Sequence, residues 1–198
     1  MSEFSPRLLR AFAETIADES GRDNLPVILE KAELPSAWAD LDALGKLDPA
    51  AAGEVYTGLQ RALRIYYGRG ARGILLRVGG QLWKRLLDGA PLTVRPQVAL
   101  VRGLPAAASR KPALDLLVRL FSTKAGDFTV HTMDLDLLLV DHASPAAAGQ
   151  HEDEPICWLT IGLVRESLSW AAHREFDVTE ISCRALGAPA CEFKIKVD

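Results

Sequence analysis

Apolar residues recur at helical spacing through the first two thirds of the chain. Leu8, Leu9, Phe12 and Ile16 form one stripe. After a break at Gly21 and Asn24, a second, shorter helix is predicted around Leu25 to Glu33, and Pro35 ends it. Leu34 to Asp48 reads as loop, with one turn around Trp38. A strong helix is predicted over Pro49 to Tyr67. Asp48 suits its cap, Pro49 its first turn, and Val55, Leu59, Leu63 and Tyr66 share a face. Gly68 and Gly70 interrupt it. The next helix runs from about Ala71 to Leu87, with Ile74, Val78, Leu82 and Leu86 on one side and Gly89 and Pro91 as its stop. Pro91, Pro96, Pro105 and Pro112 exclude a long helix across 91–111. A helix from about Pro112 to Thr123 buries Leu114, Leu117, Val118 and Phe121.

The pattern then changes period. Asp127 to Asp134 and Leu135 to Asp141 read as short strands, and residues 142–154 as a flexible polar loop. Pro155 opens a helix through about Ala172. Two more strands are predicted near Glu175 to Leu186 and Ala190 to Val197. The last alternates cleanly: Cys191, Phe193, Ile195 and Val197 face one way, Glu192, Lys194 and Lys196 the other. Gly187-Ala188-Pro189 makes the turn of a hairpin. Helices, two strands, a helix and two strands predict an α+β fold: a small four-stranded antiparallel sheet with helices on one face, behind a helical N-terminal part.

Composition narrows the function classes. The chain has 198 residues, 48% hydrophobic and 25% charged, with 23 Lys+Arg against 26 Asp+Glu. That balance argues against direct nucleic-acid binding, which needs a basic excess. No apolar run reaches the roughly 18 residues of a membrane span. The N-terminus mixes acids into its apolar positions and lacks a secretory h-region, so a reducing cytoplasm is expected. Three cysteines there suggest thiols or metal ligands before disulfides.

Those cysteines are Cys157, Cys183 and Cys191. The last two straddle the hairpin turn. Cys157 is expected in the first turn of the helix opened by Pro155, where the helix N-terminus favours a thiolate. With Glu180, three residues before Cys183, they supply the donors of a closed tetrahedral Zn2+ site. Three small buried hydrophobes are the alternative, and C-x7-C is not a standard zinc spacing. In a regular strand Glu180 and Cys183 point to opposite faces, so a shared metal requires a bulge between them.

Other motifs carry less. GRGARG at Gly68 to Gly73 matches G-x-G-x-x-G, but a helix precedes it where the dinucleotide fingerprint needs a strand. Arg69 and Arg72 there could hold an anion at a helix start. The histidines, His131, His142, His151 and His173, form no recognisable constellation, and no nucleophile elbow, P-loop or H-E-x-x-H is present. The residues alone make a poor case for an enzyme.

The segment from Cys157 onward resembles the 4-vinyl reductase domain family, also described as hydrocarbon-binding or small-molecule-binding. The resemblance rests on Cys157 opening a helix, the Glu180-Ile181-Ser182-Cys183-Arg184-Ala185-Leu186-Gly187 stretch, and Cys191-Glu192-Phe193. A looser match extends back to about Ala71. The family is similar in fold to subunits of the transport-protein particle, a four-stranded sheet with helices on one side, usually dimeric. Its members include the sensory part of bacterial activators that respond to phenols, where three Cys and one Glu hold zinc. That pattern implies a structural zinc on Cys157, Glu180, Cys183 and Cys191, and an irregular strand at Glu180. No ATPase module or DNA-binding helix pair follows, so the resemblance does not extend to a complete one-chain activator. In place of the phenol-gripping residues the chain offers an apolar pocket of Ile161, Val164, Leu168, Trp170 and Val178, suited to a more lipophilic ligand.

The resulting expectation is a stand-alone sensory protein that binds an apolar or aromatic small molecule. Residues 1–48 form an N-terminal helical dimerisation element, centred on Arg7 to Glu33, and residues 49–198 the ligand-binding domain. An accessory or reductase-like protein of tetrapyrrole metabolism is one alternative, though no nucleotide motif supplies a hydride. A scaffold or assembly protein is the other, on fold analogy alone.

Overall fold

In the computed structural model, which describes residues 3–197, the predicted periodicities become eight α-helices and one sheet. Helices α1 (Pro6–Ser20), α2 (Asn24–Lys31), α3 (Leu41–Leu44) and α4 (Pro49–Tyr67) come first. They are followed by α5 (Ala71–Asp88), α6 (Arg95–Gly103) and α7 (Ala106–Phe121). Strands β1 (Phe128–Met133) and β2 (Asp136–Asp141) precede α8 (Trp158–Ala172); β3 (Val178–Ser182) and β4 (Cys191–Ile195) close the chain. The strands lie in the order β1-β2-β4-β3, every pair antiparallel. The α+β expectation holds. Among the described residues, no helix is long and apolar enough to cross a membrane.

The sheet's inner face carries the alternation of β4. Cys191, Phe193 and Ile195 are buried beside Leu137 and Leu139 of β2 and Val178 of β3, while Glu192 and Lys194 are half-exposed on the other face. The helical part shares this core. Phe4 stacks on Tyr56 of α4 with ring centroids 3.9 Å apart, and meets Phe121 of α7 edge-on at 5.7 Å. The apolar stripe of α1, Leu8, Leu9, Phe12 and Ile16, is buried in the same cluster.

Helix α8 crosses α5 at backbone contact. A Cβ on Gly162 would sit 2.2 Å from the Leu76 carbonyl oxygen, and one on Gly79 would sit 2.2 Å from that of Leu159. Only glycine permits this approach.

Several boundaries differ from the sequence reading. The 34–48 stretch holds a 3-10 turn at Ser36–Ala39 and the one-turn α3, which Asp40 caps by accepting from the Asp42 and Ala43 amides. No single long helix crosses 91–111; the span holds the nine-residue α6 and the start of α7. Helix α7 begins six residues before Pro112 and runs through it. The proline costs α7 one hydrogen bond, about 3 kcal/mol, which burial of Leu114, Leu116, Leu117 and Phe121 offsets. Gly68 and Gly70 of GRGARG lie in a 3-10 turn between α4 and α5, with Gly68 at φ 51°, and Gly73 lies within α5.

The loop after β2 is not flexible at its start. Ser144, Ala146 and Ala147 are buried. The Ser144 amide donates to Asp141 Oδ1 at 2.6 Å, and Thr57 Oγ1 of α4 donates to the Pro145 carbonyl at 2.6 Å. Small alanine side chains, which read as a mobile loop, let this segment pack onto α4. Finally, α8 starts at Trp158, so Pro155 lies in its extended approach and Cys157 is the N-cap rather than a first-turn residue.

Candidate metal and ligand site

Strand β3 should send Glu180 and Cys183 to opposite faces. It does not, because its register against β4 shifts between Glu180 and Ser182: Glu180 pairs with Phe193, and Ser182 already pairs with Glu192. The extra residue, Ile181, turns outward and is exposed. After it Cys183 ends the strand, and Gly187 at φ 89° turns the chain towards β4.

This irregularity assembles the four expected residues. One ligand atom from each of Cys157, Glu180, Cys183 and Cys191 lies within 4.8 Å of all the others, and all four residues are buried. Cys157 Sγ is 3.4 Å from Cys191 Sγ, which is 3.9 Å from Cys183 Sγ. Sulfurs held about 2.3 Å from a tetrahedral zinc stand about 3.8 Å apart, so the spacing suits the ion. Glu180 Oε2 accepts the Cys157 amide at 3.0 Å, whereas Oε1 is buried without a hydrogen-bond partner. An orphaned carboxylate oxygen among three sulfurs is a donor set that suits a cation.

The electrostatics agree. Burial, with Cys183 beside it, pushes the Glu180 carboxyl up to about 8. The thiols of Cys157 and Cys191 hold Cys183 far below the usual thiol range. The Cys157 thiol is driven well above its ordinary value by Cys183 and Cys191, then by burial. Without a cation the cluster crowds four ionisable groups whose negative charges oppose one another.

The surroundings contain groups the sequence reading missed. Arg64 of α4 donates to Gln150 Oε1 and to Glu152 Oε1, the latter at 3.1 Å. Burial lowers its pKa, while Glu152 and Cys157 act in the opposite direction. Asp141 is 3% exposed, and burial pushes its carboxyl up to about 7. Ser144 Oγ accepts the Cys191 amide at 3.3 Å and donates to the Asp141 carbonyl, tying the 142–150 loop to β4. The only sequence signal for this layer was Asp141, an acid closing an apolar strand.

The expected pocket residues are placed differently. Ile161, Val164, Leu168 and Val178 are buried in the main core. Trp170 is half-buried and meets Trp83 edge-on, centroids 5.7 Å apart. A narrow apolar void between α7, the sheet and α8 is lined by other residues, among them Leu117, Phe121, Phe128, Leu139 and Leu163, and has no room for a water.

Residues 141–197, the segment that supplies the whole cluster, match the model of the 4-vinyl reductase domain family. This bears out the resemblance read from the spacing of the cysteines and Glu180. No curated protein matches the sequence. Among solved structures the fold is similar to the phenol-responsive sensory domain of the transcription activator PoxR with phenol: TM-score 0.52, 19% identity, 76% of this chain and 75% of that one. It is also similar to a Cs H-NOX mutant carrying 4-cyano-L-phenylalanine at site 5: TM-score 0.62, 14% identity, 99% and 96% coverage. An H-NOX protein from S. oneidensis in the Fe(II)NO ligation state gives TM-score 0.57 at 13% identity, over 98% and 99% of the two chains.

Proposed function

We propose that this protein is a small-molecule-binding sensory protein for an apolar or aromatic ligand, with a structural zinc held by Cys157, Glu180, Cys183 and Cys191. The observation that carries the reading is that the segment matching the 4-vinyl reductase domain builds a buried Cys3Glu cluster with one carboxylate oxygen left unpartnered. Four protein donors leave no open position for water, so the ion would pin β3, β4 and the start of α8 rather than do chemistry. Ligand binding is supported by the fold shared with the phenol-bound PoxR sensory domain. The pocket of Ile161, Val164, Leu168, Trp170 and Val178 belongs to this proposal as a core seam beside α8 that opens around a ligand.

A haem site of the globin type needs an inward-facing histidine, and His131, His142, His151 and His173 are all exposed. A homodimer formed through residues 1–48 and a cytoplasmic setting complete the proposal. Since the apolar stripe of α1 is already spent inside the chain, such a dimer would use the outer surfaces of α1 and α2.

Native mass spectrometry, metal analysis and thermal melts test the reading. The expected result is one zinc per chain, a melting temperature that drops on chelation and rises with a neutral arene such as phenol, and a dimer mass. Zinc-free protein indifferent to chelator removes the metal half. No response to any neutral arene removes the ligand half.

A further inference from the structure

A cleft of about 790 Å³ opens on the far side of α4 from the apolar core, where the 142–150 loop and the residue after Cys183 face the turn that holds Trp38. Its volume falls within the range of small-molecule sites. One wall is aromatic. The half-buried Trp38 indole lies so close to α4 that a Cβ on Gly58 would stand 2.6 Å from its Cζ3. Leu34 extends that wall.

The remaining walls contribute two guanidinium groups from separate parts of the chain, Arg61 of α4 and Arg184 from the turn after β3. Neither is ion-paired among the described residues. Arg184 is half-buried and oriented by the Ala143 carbonyl at 2.8 Å, which uses one of its donors and leaves the others free. Arg61 is exposed. Glu54, seven residues before Arg61 on the same helix, lines the opposite end of the cleft, about 10 Å away along α4. The cleft is thus polarised, cationic at one end and acidic at the other, with an aromatic side between.

We infer that this cleft binds an aromatic carboxylate, its ring against Trp38 and its carboxylate between Arg61 and Arg184. A guanidinium presents paired N–H donors matched to a carboxylate, and an indole face offers stacking to a flat ring. Glu54 repels the anion and so sets the ligand's direction. The site is separate from the apolar seam beside α8 and does not depend on it. It does touch the cysteine cluster, because the Arg184 amide donates to Cys191 Sγ at 3.3 Å.

Calorimetric titration of the full chain with 2-naphthoate and with its neutral analogue 2-naphthamide tests the inference. Naphthoate binds, naphthamide binds at least about tenfold more weakly, and added salt weakens only the former. Arg61→Gln and Arg184→Gln each reduce naphthoate affinity by about tenfold or more, and Trp38→Phe removes the tryptophan fluorescence response. Because Arg61 is exposed and unpaired, its substitution leaves the melting temperature unchanged and separates lost binding from lost fold. Equal affinity for the two probes, no binding of naphthoate, or naphthoate affinity indifferent to both arginine substitutions overturns the inference. Binding of a neutral arene that ignores Arg61→Gln reports on the apolar ligand site alone.

Discussion

Helix α8 is anchored at two points of different kind. Just past its first turn, Gly162 lies against the backbone of α5, and Gly79 of α5 returns the contact. At its start, Cys157 enters a cluster of two further thiols and a carboxylate. The first anchor is steric: it needs the absence of side chains and nothing from solution. The second buries four ionisable groups whose mutual repulsion and desolvation must be compensated. The helix crossing at Gly162 is thus fixed by shape, whereas the N-cap at Cys157 is fixed only as well as the cluster is charge-balanced.

Breaking the second anchor has the largest expected effect. Cys183→Ser removes one of the cluster's four donors. Metal stoichiometry should fall to near zero and urea unfolding should show a loss of about 3–5 kcal/mol, the range for breaking one member of a buried charged set. Full zinc content in the variant would mean that three donors suffice. Gly162→Ala attacks the first anchor. The overlap with the Leu76 carbonyl forces the helices apart and should cost about 3 kcal/mol. Its folded fraction should retain the parent's metal content, and a parallel loss of metal would show that the anchors are one cooperative unit.

The two anchors also differ in how far the sequence reveals them. The cluster was legible because each member carries chemistry: three cysteines, a glutamate at fixed spacing, and a strand whose parity demanded a bulge that β3 contains. The glycine crossing was not. Gly79 sits in a helical stripe as an ordinary weak helix former, and only a partner helix gives it meaning. The same holds for Pro112, where local chemistry stops a helix and the core overrides it. It holds too for the Ala143–Gly149 loop, whose small residues read as slack until α4 is seen beneath them. Helices α1, α4 and α5 were legible because caps, glycines and stripes agree. The apolar pocket was not, since identical side chains line a filled core or an open one.

Asp141 gives the comparison a pH axis. Burial raises its carboxyl from the ordinary 3.8 to about 7. Between those values the folded chain holds a proton that the unfolded chain has released, so this residue makes stability fall as pH rises from about 4 through 7. Above 7 its contribution is flat. Asp141→Asn keeps an acceptor for the Ser144 amide and removes the titration. At one unit per roughly 1.4 kcal/mol, the variant should match the parent near pH 4 and exceed it by on the order of 4 kcal/mol at pH 8. Denaturant unfolding across that range measures it; parallel curves for the two proteins would mean that Asp141 ionises freely.

The smallest effect contrasts two helix starts. At α4, Asp48 accepts from the Ala50 and Ala51 amides, both at 3.0 Å, and satisfies two of the donors that every helix start leaves free. At α8, Cys157 provides no side-chain cap. There the side chain faces the cluster, and the Cys157 amide donates across to Glu180 instead. Asp48→Ala should cost about 1 kcal/mol, equally with and without chelator, because nothing at α4's start depends on the cluster. Cys157→Asp would install a conventional cap at α8 while removing a sulfur. If capping were all that position contributes, this variant would be at least as stable as the parent. The expected outcome is the reverse, a net loss that vanishes once chelator is present. At the start of α8, then, the Cys157 side chain joins the cluster in place of capping the helix, and the difference between the two chelator-free losses measures what that exchange is worth.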